Sequence, residues 1–154
     1  MLALKPTILR GNASEILGLG GQASEAKGVD AKDSVESAEI GAVNLAKAHN
    51  MVVAVTGETD FVTDGIRTAR IFGGSPVMPL VTAMGCSLTC LMSAFAAVAQ
   101  PLEAASTALA LFAEAGNAAA AEANGPGSFQ PLFLDALHNT TPEMLAKSER
   151  VVWQ

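Results

Sequence analysis

A chain of 154 residues, of which 50% are hydrophobic and 16% charged, is long and apolar enough to bury a core, which excludes an intrinsically disordered protein. Its formal net charge of −6 argues against the basic surfaces that bind nucleic acid or anionic membranes. The two cysteines, Cys86 and Cys90, stand four positions apart, a spacing that suits neither a disulfide nor a zinc cluster. We therefore expect a cytoplasmic protein whose partners are small molecules, with no nucleic acid and no membrane.

The first part of the chain predicts strands and helices in alternation. A short strand over residues 6–10 leads into a short helix that ends near residues 18–21, and a polar loop follows to residue 30. The next helix is expected over residues 33–49, with a capping-box-like start at Asp33 and Glu36. Its apolar face should consist of Val35, Ala38, Ala42, Leu45 and Ala46. The β-branched run over residues 51–55 is typical of a strand buried on both faces.

The second part predicts a hairpin and then helices. Strands over residues 61–63 and 66–72 flank the dipeptide Asp64-Gly65, which favours a primed two-residue turn. Helices are expected over residues 85–100, 102–121 and 128–138. The order of elements predicts an α/β layered fold. The uncharged run over residues 71–102 is long enough to span a membrane, but its glycines and prolines favour a loop followed by a buried helix.

The buried strand at residues 51–55 raises a question about completeness. A strand of this kind needs parallel neighbours on both sides, and the chain offers few candidates. We therefore expect the 154 residues to be the second half of an α/β domain whose first strands are absent.

Three short segments stand where ligands bind in α/β proteins. The small-residue turn at residues 81–86 opens a helix, whose first N–H groups can hold an anion. Asn12 and Glu15 share a helix face and can orient waters on Mg²⁺, while Arg10 can meet a phosphate. A buried strand that ends in Thr56-Gly57 ends where open α/β sheets bind ligands. Ordinary structure explains each segment as well: a helix start with a buried cysteine, a capped helix with solvated side chains, and a strand-to-hairpin turn.

In this order and spacing, the segments resemble the hydroxyethylthiazole kinase family of the ribokinase-like superfamily. The resemblance covers nearly all of the chain and is carried by the runs Pro6-Thr7-Ile8-Leu9-Arg10-Gly11-Asn12-Ala13-Ser14-Glu15-Ile16, Lys27-Gly28-Val29-Asp30, Val53-Ala54-Val55-Thr56-Gly57-Glu58, Val81-Thr82-Ala83-Met84-Gly85-Cys86 and Gly125-Pro126-Gly127-Ser128-Phe129. It implies that residues 1–154 are the C-terminal part of a single ribokinase-like kinase domain. Such a domain has a central, mostly parallel sheet flanked by helices.

The resemblance also implies an activity. Members of the family use ATP and Mg²⁺ to phosphorylate the hydroxyl of 4-methyl-5-(2-hydroxyethyl)thiazole, a salvage step toward thiamine, and the complete enzyme is expected to be a homotrimer. The alternative is an inactive truncated fragment of such a kinase with at most weak nucleotide binding. Because the first strands of the family's sheet have no counterpart here, we expect residues 1–154 alone to be aggregation-prone and without thiazole kinase activity.

The family's functional positions map onto this chain as follows. Arg10, Thr56 and Gly57 match ATP-binding positions. Asn12 and Glu15 match the Asn-x-x-Glu motif that organises Mg²⁺, through water, and phosphate.

The remaining positions lie in the turn at residues 81–86. Ala83 matches a thiazole-contacting position, the amides of Gly85 and Cys86 match the phosphate anion hole, and Cys86 stands where sister kinases carry an Asp general base. Thus the catalytic role is expected to fall to Cys86. The commoner family turn is Gly-Thr/Ala-Gly-Cys, and this chain departs from it with alanine at position 83 and methionine at position 84.

Overall fold

The structure is a computed structural model that describes residues 1–20 and 31–154, with side chains described from residue 37 onward after the gap. The chain divides into two compact units, one made of Met1–Arg70 with Trp153–Gln154 and the other of Ile71–Val152. The loop predicted up to residue 30, the run Lys27-Gly28-Val29-Asp30 and the side chains of Asp33, Val35 and Glu36 lie outside the described residues.

The elements follow the predicted order, with two additions near the C-terminus. The first group comprises β1 (Ile8–Asn12), α1 (Ala13–Leu19), α2 (Ala31–His49), β2 (Val52–Thr56), β3 (Thr59–Thr63) and β4 (Thr68–Phe72). The second comprises α3 (Met84–Ala96), α4 (Pro101–Glu122), α5 (Pro126–Asn139), α6 (Pro142–Lys147) and β5 (Val151–Trp153). Short 3₁₀ turns cover Leu2–Leu4 and Met78–Leu80. The sequence predicted neither α6 nor β5, because each is too short to show a period.

The sheet is mixed. Its strand order is β1-β2-β3-β4-β5, in which β1 pairs with β2 in parallel and β2 pairs with β3 in antiparallel fashion. The backbone of Thr68 exchanges both hydrogen bonds with Gln154, at 3.1 and 2.9 Å, which is the pattern of an antiparallel pair beside β4. The expected α/β fold is confirmed. The expectation of a mostly parallel sheet is corrected to a mixed sheet within the described residues, since β2 takes a parallel neighbour on one side and an antiparallel neighbour on the other.

The core of the first unit lies between β1–β2 and the helices α1 and α2. Strand β2 is buried along Val52–Val55, as its apolar run predicted. The predicted face of α2 is confirmed for its described members, since Ala38, Ala42, Leu45 and Ala46 are all buried. Small alanines on this face let the helix approach the strands closely, so that Val53, Val55 and Leu9 pack against it. The core therefore fixes β1 against β2.

The connection between β3 and β4 differs from the predicted two-residue turn. It contains four residues, because the carboxylate of Asp64 accepts hydrogen bonds from the backbone N–H groups of Ile66 at 2.9 Å and Arg67 at 2.7 Å. Both primed turn types need a positive φ at the first central residue, which would be Asp64, and here only Gly65 has one, at 93°. A Cβ atom on Gly65 would lie 2.7 Å from Cγ of Lys47, so the close approach of α2 also requires glycine.

The second unit is built around α4. This helix buries a series of alanines, which lets α3 and α5 pack closely against it. The ring of Phe112 meets Phe133 edge-on at 4.7 Å between centroids, and Phe129 stacks on Phe133 at 5.7 Å. Arg150 is bonded to Glu114 at 2.6 Å and to the carbonyl of Phe72 at 3.2 Å. These contacts hold the segment before β5 to α4 and to the end of β4.

The uncharged segment does not form a membrane-length helix. Within residues 1–20 and 31–154, no helix combines the length and the apolar character needed to cross a bilayer. The segment instead contains the 3₁₀ turn and α3, which confirms the predicted loop and helix. The helix is not buried as expected, since only Leu88 and Met92 of α3 are buried.

Candidate functional site

The carboxyl ends of β1 and β2 lie side by side in the first unit. The strands pair in parallel register from Ile8 opposite Val52 to Asn12 opposite Thr56. Parallel pairing brings both strand ends to one edge of the sheet, which is the edge where open α/β sheets bind ligands. The structure therefore brings together Arg10, Asn12 and Thr56, which the sequence analysis proposed as site residues from separate segments.

Arg10 and Thr56 are bonded across the two strands. The Nη2 atom of Arg10 donates to Oγ1 of Thr56 at 2.7 Å, and the Thr56 hydroxyl donates to the carbonyl of Gly11 at 3.3 Å. The Nε atom of Arg10 is buried and has no hydrogen-bond partner in the described part of the chain. A buried donor without a partner is costly, and such groups are concentrated at functional sites. This guanidinium is thus oriented by one bond, and its buried Nε keeps an unused donor.

Asn12 and Glu15 form a reciprocal cap at the start of α1. The Oδ1 atom of Asn12 accepts from the Glu15 N–H at 2.9 Å and from the Ser14 hydroxyl at 2.8 Å, while Oε2 of Glu15 accepts from the Asn12 N–H at 2.8 Å. This is a capping box with Asn in place of Ser or Thr. Two bonds occupy both lone pairs of the Asn12 oxygen. The Oε1 atom of Glu15 takes no part in the box, so the box holds one carboxylate oxygen in a fixed place.

The available oxygens fit Mg²⁺ only through water. The described residues contain no group of three or more His, Cys, Asp or Glu side chains that could hold a metal ion. Mg²⁺ keeps several waters and takes few protein ligands, so a single fixed carboxylate oxygen suits a hydrated ion. In this geometry Glu15 is the candidate partner of such an ion, and Asn12 acts by holding Glu15.

Asp60 is a member of this site that sequence reasoning missed. Its Oδ1 atom accepts the backbone N–H of Gly57 at 3.0 Å. Burial raises the pKa of the Asp60 carboxyl to about 6, against the lowering effects of the Gly57 hydrogen bond and the positive charge of Arg10. The predicted strand began at Phe61, whereas β3 begins at Thr59 and so includes Asp60. An Asp three residues after a strand-terminal Gly was the available signal, since such side chains commonly close turns.

Gly57 follows the end of β2 and is surrounded by open space. A Cβ atom there would meet only the carbonyl of Thr59, at 3.7 Å, which is an ordinary contact. The N–H of Gly57 is committed to Asp60. The residue therefore leaves room beside Thr56 without supplying an unpaired donor.

The second unit holds the other nominated residues at the start of α3. Its N-cap is Ala83, and no side chain caps this helix end. The first backbone bond runs from the Ser87 N–H to the Ala83 carbonyl at 2.9 Å, so the N–H groups of Gly85 and Cys86 precede the intrahelical ladder. Cys86 is a free, exposed thiol, and so is Cys90 one turn later. The expectation of a buried cysteine under the ordinary interpretation is wrong, since the thiol of Cys86 faces solvent.

Comparison with known proteins identifies the family. The family model described as the hydroxyethylthiazole kinase family matches residues 1–143. This chain belongs to the hydroxyethylthiazole kinase family. A relative from Gemmatimonas aurantiaca, named hydroxyethylthiazole kinase, is 60% identical over 153 residues, which are 99% of this chain and 55% of that protein.

Two further relatives agree. A protein of the same name from Cereibacter sphaeroides is 56% identical over 151 residues, which are 98% of this chain and 58% of that protein. A solved hydroxyethylthiazole kinase protein from Pyrococcus horikoshii OT3 is 33% identical, superposes with a TM-score of 0.87, and matches 99% of this chain and 57% of its own. The chain thus spans a little over half the length of the relatives that it matches.

Membership in the hydroxyethylthiazole kinase family makes the backbone of Ala83 notable. Its φ is +68°, in the left-handed region that favours glycine. The family resemblance led us to expect glycine at this position. The chain therefore holds an alanine in a conformation that costs about 1 kcal/mol for an L-residue.

Ala83→Gly should raise the free energy of unfolding by about 1 kcal/mol, because glycine adopts this φ without the Cβ clash. Ala94→Gly is the matched control, since Ala94 is exposed within α3 and its replacement should lower the same quantity by about 1 kcal/mol. Urea unfolding of the two variants and the parent measures both. A destabilised Ala83→Gly variant would show that the turn is not strained.

Proposed function

We propose that this chain carries the nucleotide and phosphoryl-transfer residues of an ATP- and Mg²⁺-dependent kinase that phosphorylates the hydroxyl of 4-methyl-5-(2-hydroxyethyl)thiazole, in thiamine salvage. The observation that carries the proposal is the Arg10–Thr56 pair, where a guanidinium with one buried, unpartnered donor lies at the carboxyl ends of two parallel strands. An Arg so placed suits a phosphate, which accepts charge-assisted hydrogen bonds. The names of the relatives support the thiazole alcohol as the acceptor.

The wider assignments belong to the same proposal. ATP and the thiazole alcohol are the proposed partners, a homotrimer is the proposed assembly of the complete enzyme, and the cytoplasm is the proposed location. The chain spans 55% of one relative and 58% of another, so the activity of those whole proteins comes to it by proposal. The alternative of a non-catalytic fragment draws no support from these matches, since relatives named as kinases match 98–99% of this chain.

Residues of the first unit would hold the nucleotide. Arg10, oriented by Thr56, binds a phosphate oxygen, and the space beside Gly57 leaves room for the ligand backbone to approach. Glu15, held by Asn12, would orient waters of a Mg²⁺ ion bound to the phosphates, and such an ion neutralises the charge that develops on the transferring group. Phosphoryl transfer depends mostly on this kind of positioning and charge compensation.

Residues of the second unit would serve the transferring group and the acceptor alcohol. The N–H groups of Gly85 and Cys86 at the positive end of α3 stabilise the negative charge of the phosphoryl oxygens. The thiol of Cys86 orients or accepts the proton that the hydroxyl loses as its oxygen bonds to phosphorus. Ala83 contacts the thiazole ring.

Cys86→Asp should keep substantial turnover, because a carboxylate can accept the same proton, whereas Cys86→Val should lose much more, because valine offers no acceptor and crowds the turn. Cys90→Val is the matched control, one helical turn away and equally exposed, and should match the parent. The measurement is steady-state phosphorylation of the thiazole alcohol by Mg-ATP. It is made on the chain by itself, which we expect to be inactive, and on the chain co-expressed with the part of a relative that it does not match.

Two results would contradict the assignment. Equal rates for Cys86→Val and the parent would remove Cys86 from the chemistry. Absence of turnover in the co-expressed pair as well would leave the non-catalytic fragment as the better interpretation.

Glu15→Gln should raise the Mg²⁺ concentration required for the half-maximal rate while leaving folding nearly intact. Glutamine still offers an oxygen to the Asn12 N–H, so the cap persists, and the lost charge at a helix N-terminus costs only about 0.3–1 kcal/mol. Glu122→Gln, at the exposed end of α4, is the control and should leave the Mg²⁺ dependence unchanged. The same Mg²⁺ dependence in Glu15→Gln and the parent would identify Glu15 as a capping residue only.

A further inference from the structure

The two aspartates at the ends of β3 each accept backbone N–H groups from a neighbouring turn, but only the turn held by Asp60 adjoins Arg10. Asp64, just after the strand, accepts the N–H groups of Ile66 and Arg67 and closes the hairpin loop. Asp60, near its start, accepts the N–H of Gly57 at 3.0 Å. Gly57 directly follows Thr56, whose hydroxyl holds the guanidinium of Arg10. Asp60 therefore fixes the backbone from which the Arg10 contact is made.

Asp60 also acts on Arg10 through its charge. The positive charge of Arg10 is one of the effects that lower the pKa of the Asp60 carboxyl. Among the described residues, however, the ion pairs within 4 Å do not include Arg10. A direct ion pair would occupy the guanidinium, whereas a nearby carboxylate compensates its charge and leaves Nε without a partner.

We propose that Asp60 is a positioning residue of the nucleotide site, which holds the Thr56–Gly57 turn through the Gly57 N–H and so keeps Arg10 oriented for an anionic phosphate. The inference rests on the proposed function, since Mg-ATP is taken as the ligand. Asp60 itself is not required to touch the nucleotide. Its contribution is the hydrogen bond to Gly57, which an uncharged oxygen acceptor can also make.

The first test compares Mg-ATP affinity among three variants and the parent by isothermal titration calorimetry, with each chain co-expressed with the part of a relative that it does not match. Asp60→Ala removes the acceptor and should raise the dissociation constant at least about tenfold, the usual effect of losing a hydrogen bond to a charged group. Asp60→Asn keeps an acceptor oxygen and should stay within about threefold of the parent. Asp64→Ala, at the other end of the same strand, removes a similar turn contact and should leave the dissociation constant unchanged.

The possible outcomes distinguish failure of the positioning role of Asp60 from failure of the proposed kinase function. A parent that binds Mg-ATP with an affinity that Asp60→Ala does not change would overturn the positioning role alone. Equal losses of Mg-ATP affinity in Asp60→Ala and Asp64→Ala would show general destabilisation and overturn the positioning role. A loss of affinity in Asp60→Asn as large as that in Asp60→Ala would overturn the role as well. A parent that does not bind Mg-ATP would overturn the proposed function and the inference together.

The second test needs no nucleotide. Arg10 from β1 is the charged side chain that acts on Asp60, and the Gly57 N–H is the polar group that reaches it from the turn. The amide proton shift of Gly57, followed by NMR, should therefore titrate with a midpoint near pH 6 in the parent and lose that step in Asp60→Asn. A Gly57 amide that does not titrate would show that the contact with Asp60 is not made in solution.

The pH dependence of the free energy of unfolding should also reflect the titration of Asp60. The folded chain holds the Asp60 proton more tightly than the unfolded chain, so the Asp60 contribution to the free energy of unfolding decreases as the pH rises from about 4 to about 6. Asp60→Asn should lack that decrease in urea unfolding measured across this range. A decrease of the same size in both proteins would assign it to other groups and overturn the placement of Asp60.

Discussion

The parallel pairing of β1 with β2 places Asn12 opposite Thr56, and the candidate nucleotide site depends on that register. It brings the side chain of Arg10 to the Thr56 hydroxyl and the start of α1 to the same edge. A slip of one residue would turn every side chain of β1 to the other face and separate Arg10 from Thr56. The apolar core under α1 and α2 prevents such a slip, because Leu9 on β1 would leave it.

This edge of the sheet contains buried polar groups that are energetically unfavourable and that a sheet without a binding role would rarely retain. Arg10 has a buried donor without a partner in the described chain, and Asp60 has a carboxyl whose pKa burial raises to about 6. In the second unit, Ala83 adopts a φ that favours glycine at the start of an uncapped helix. Each of these features costs free energy, and proteins commonly retain such costs where ligands bind. The three features therefore point to the same two regions that the family resemblance nominated.

Much of the fold could be predicted because strong periodic patterns decide it. The buried strand over β2, the apolar face of α2 and the alanine-rich α4 all appear as expected, within two or three residues at their ends. The antiparallel neighbour of β2 and the four-residue hairpin loop were missed. The reason is that strand direction depends on the connection, and the loop depends on how the Asp64 carboxylate bonds to backbone N–H groups. Asp60 was missed because its burial and the nearby charge of Arg10, fifty positions away, leave no local pattern, and its spacing from Gly57 is one that ordinary turns share.

The most direct test of the central claim is a double-mutant cycle on Mg-ATP affinity with Arg10→Ala and Thr56→Val. If Thr56 orients Arg10 for the phosphate, Arg10→Ala should cost much less affinity in the Thr56→Val background than in the parent, with a coupling free energy of about 1–3 kcal/mol. Additive effects, within about 0.5 kcal/mol, would show that the two residues act independently and that the strand register does not organise the site.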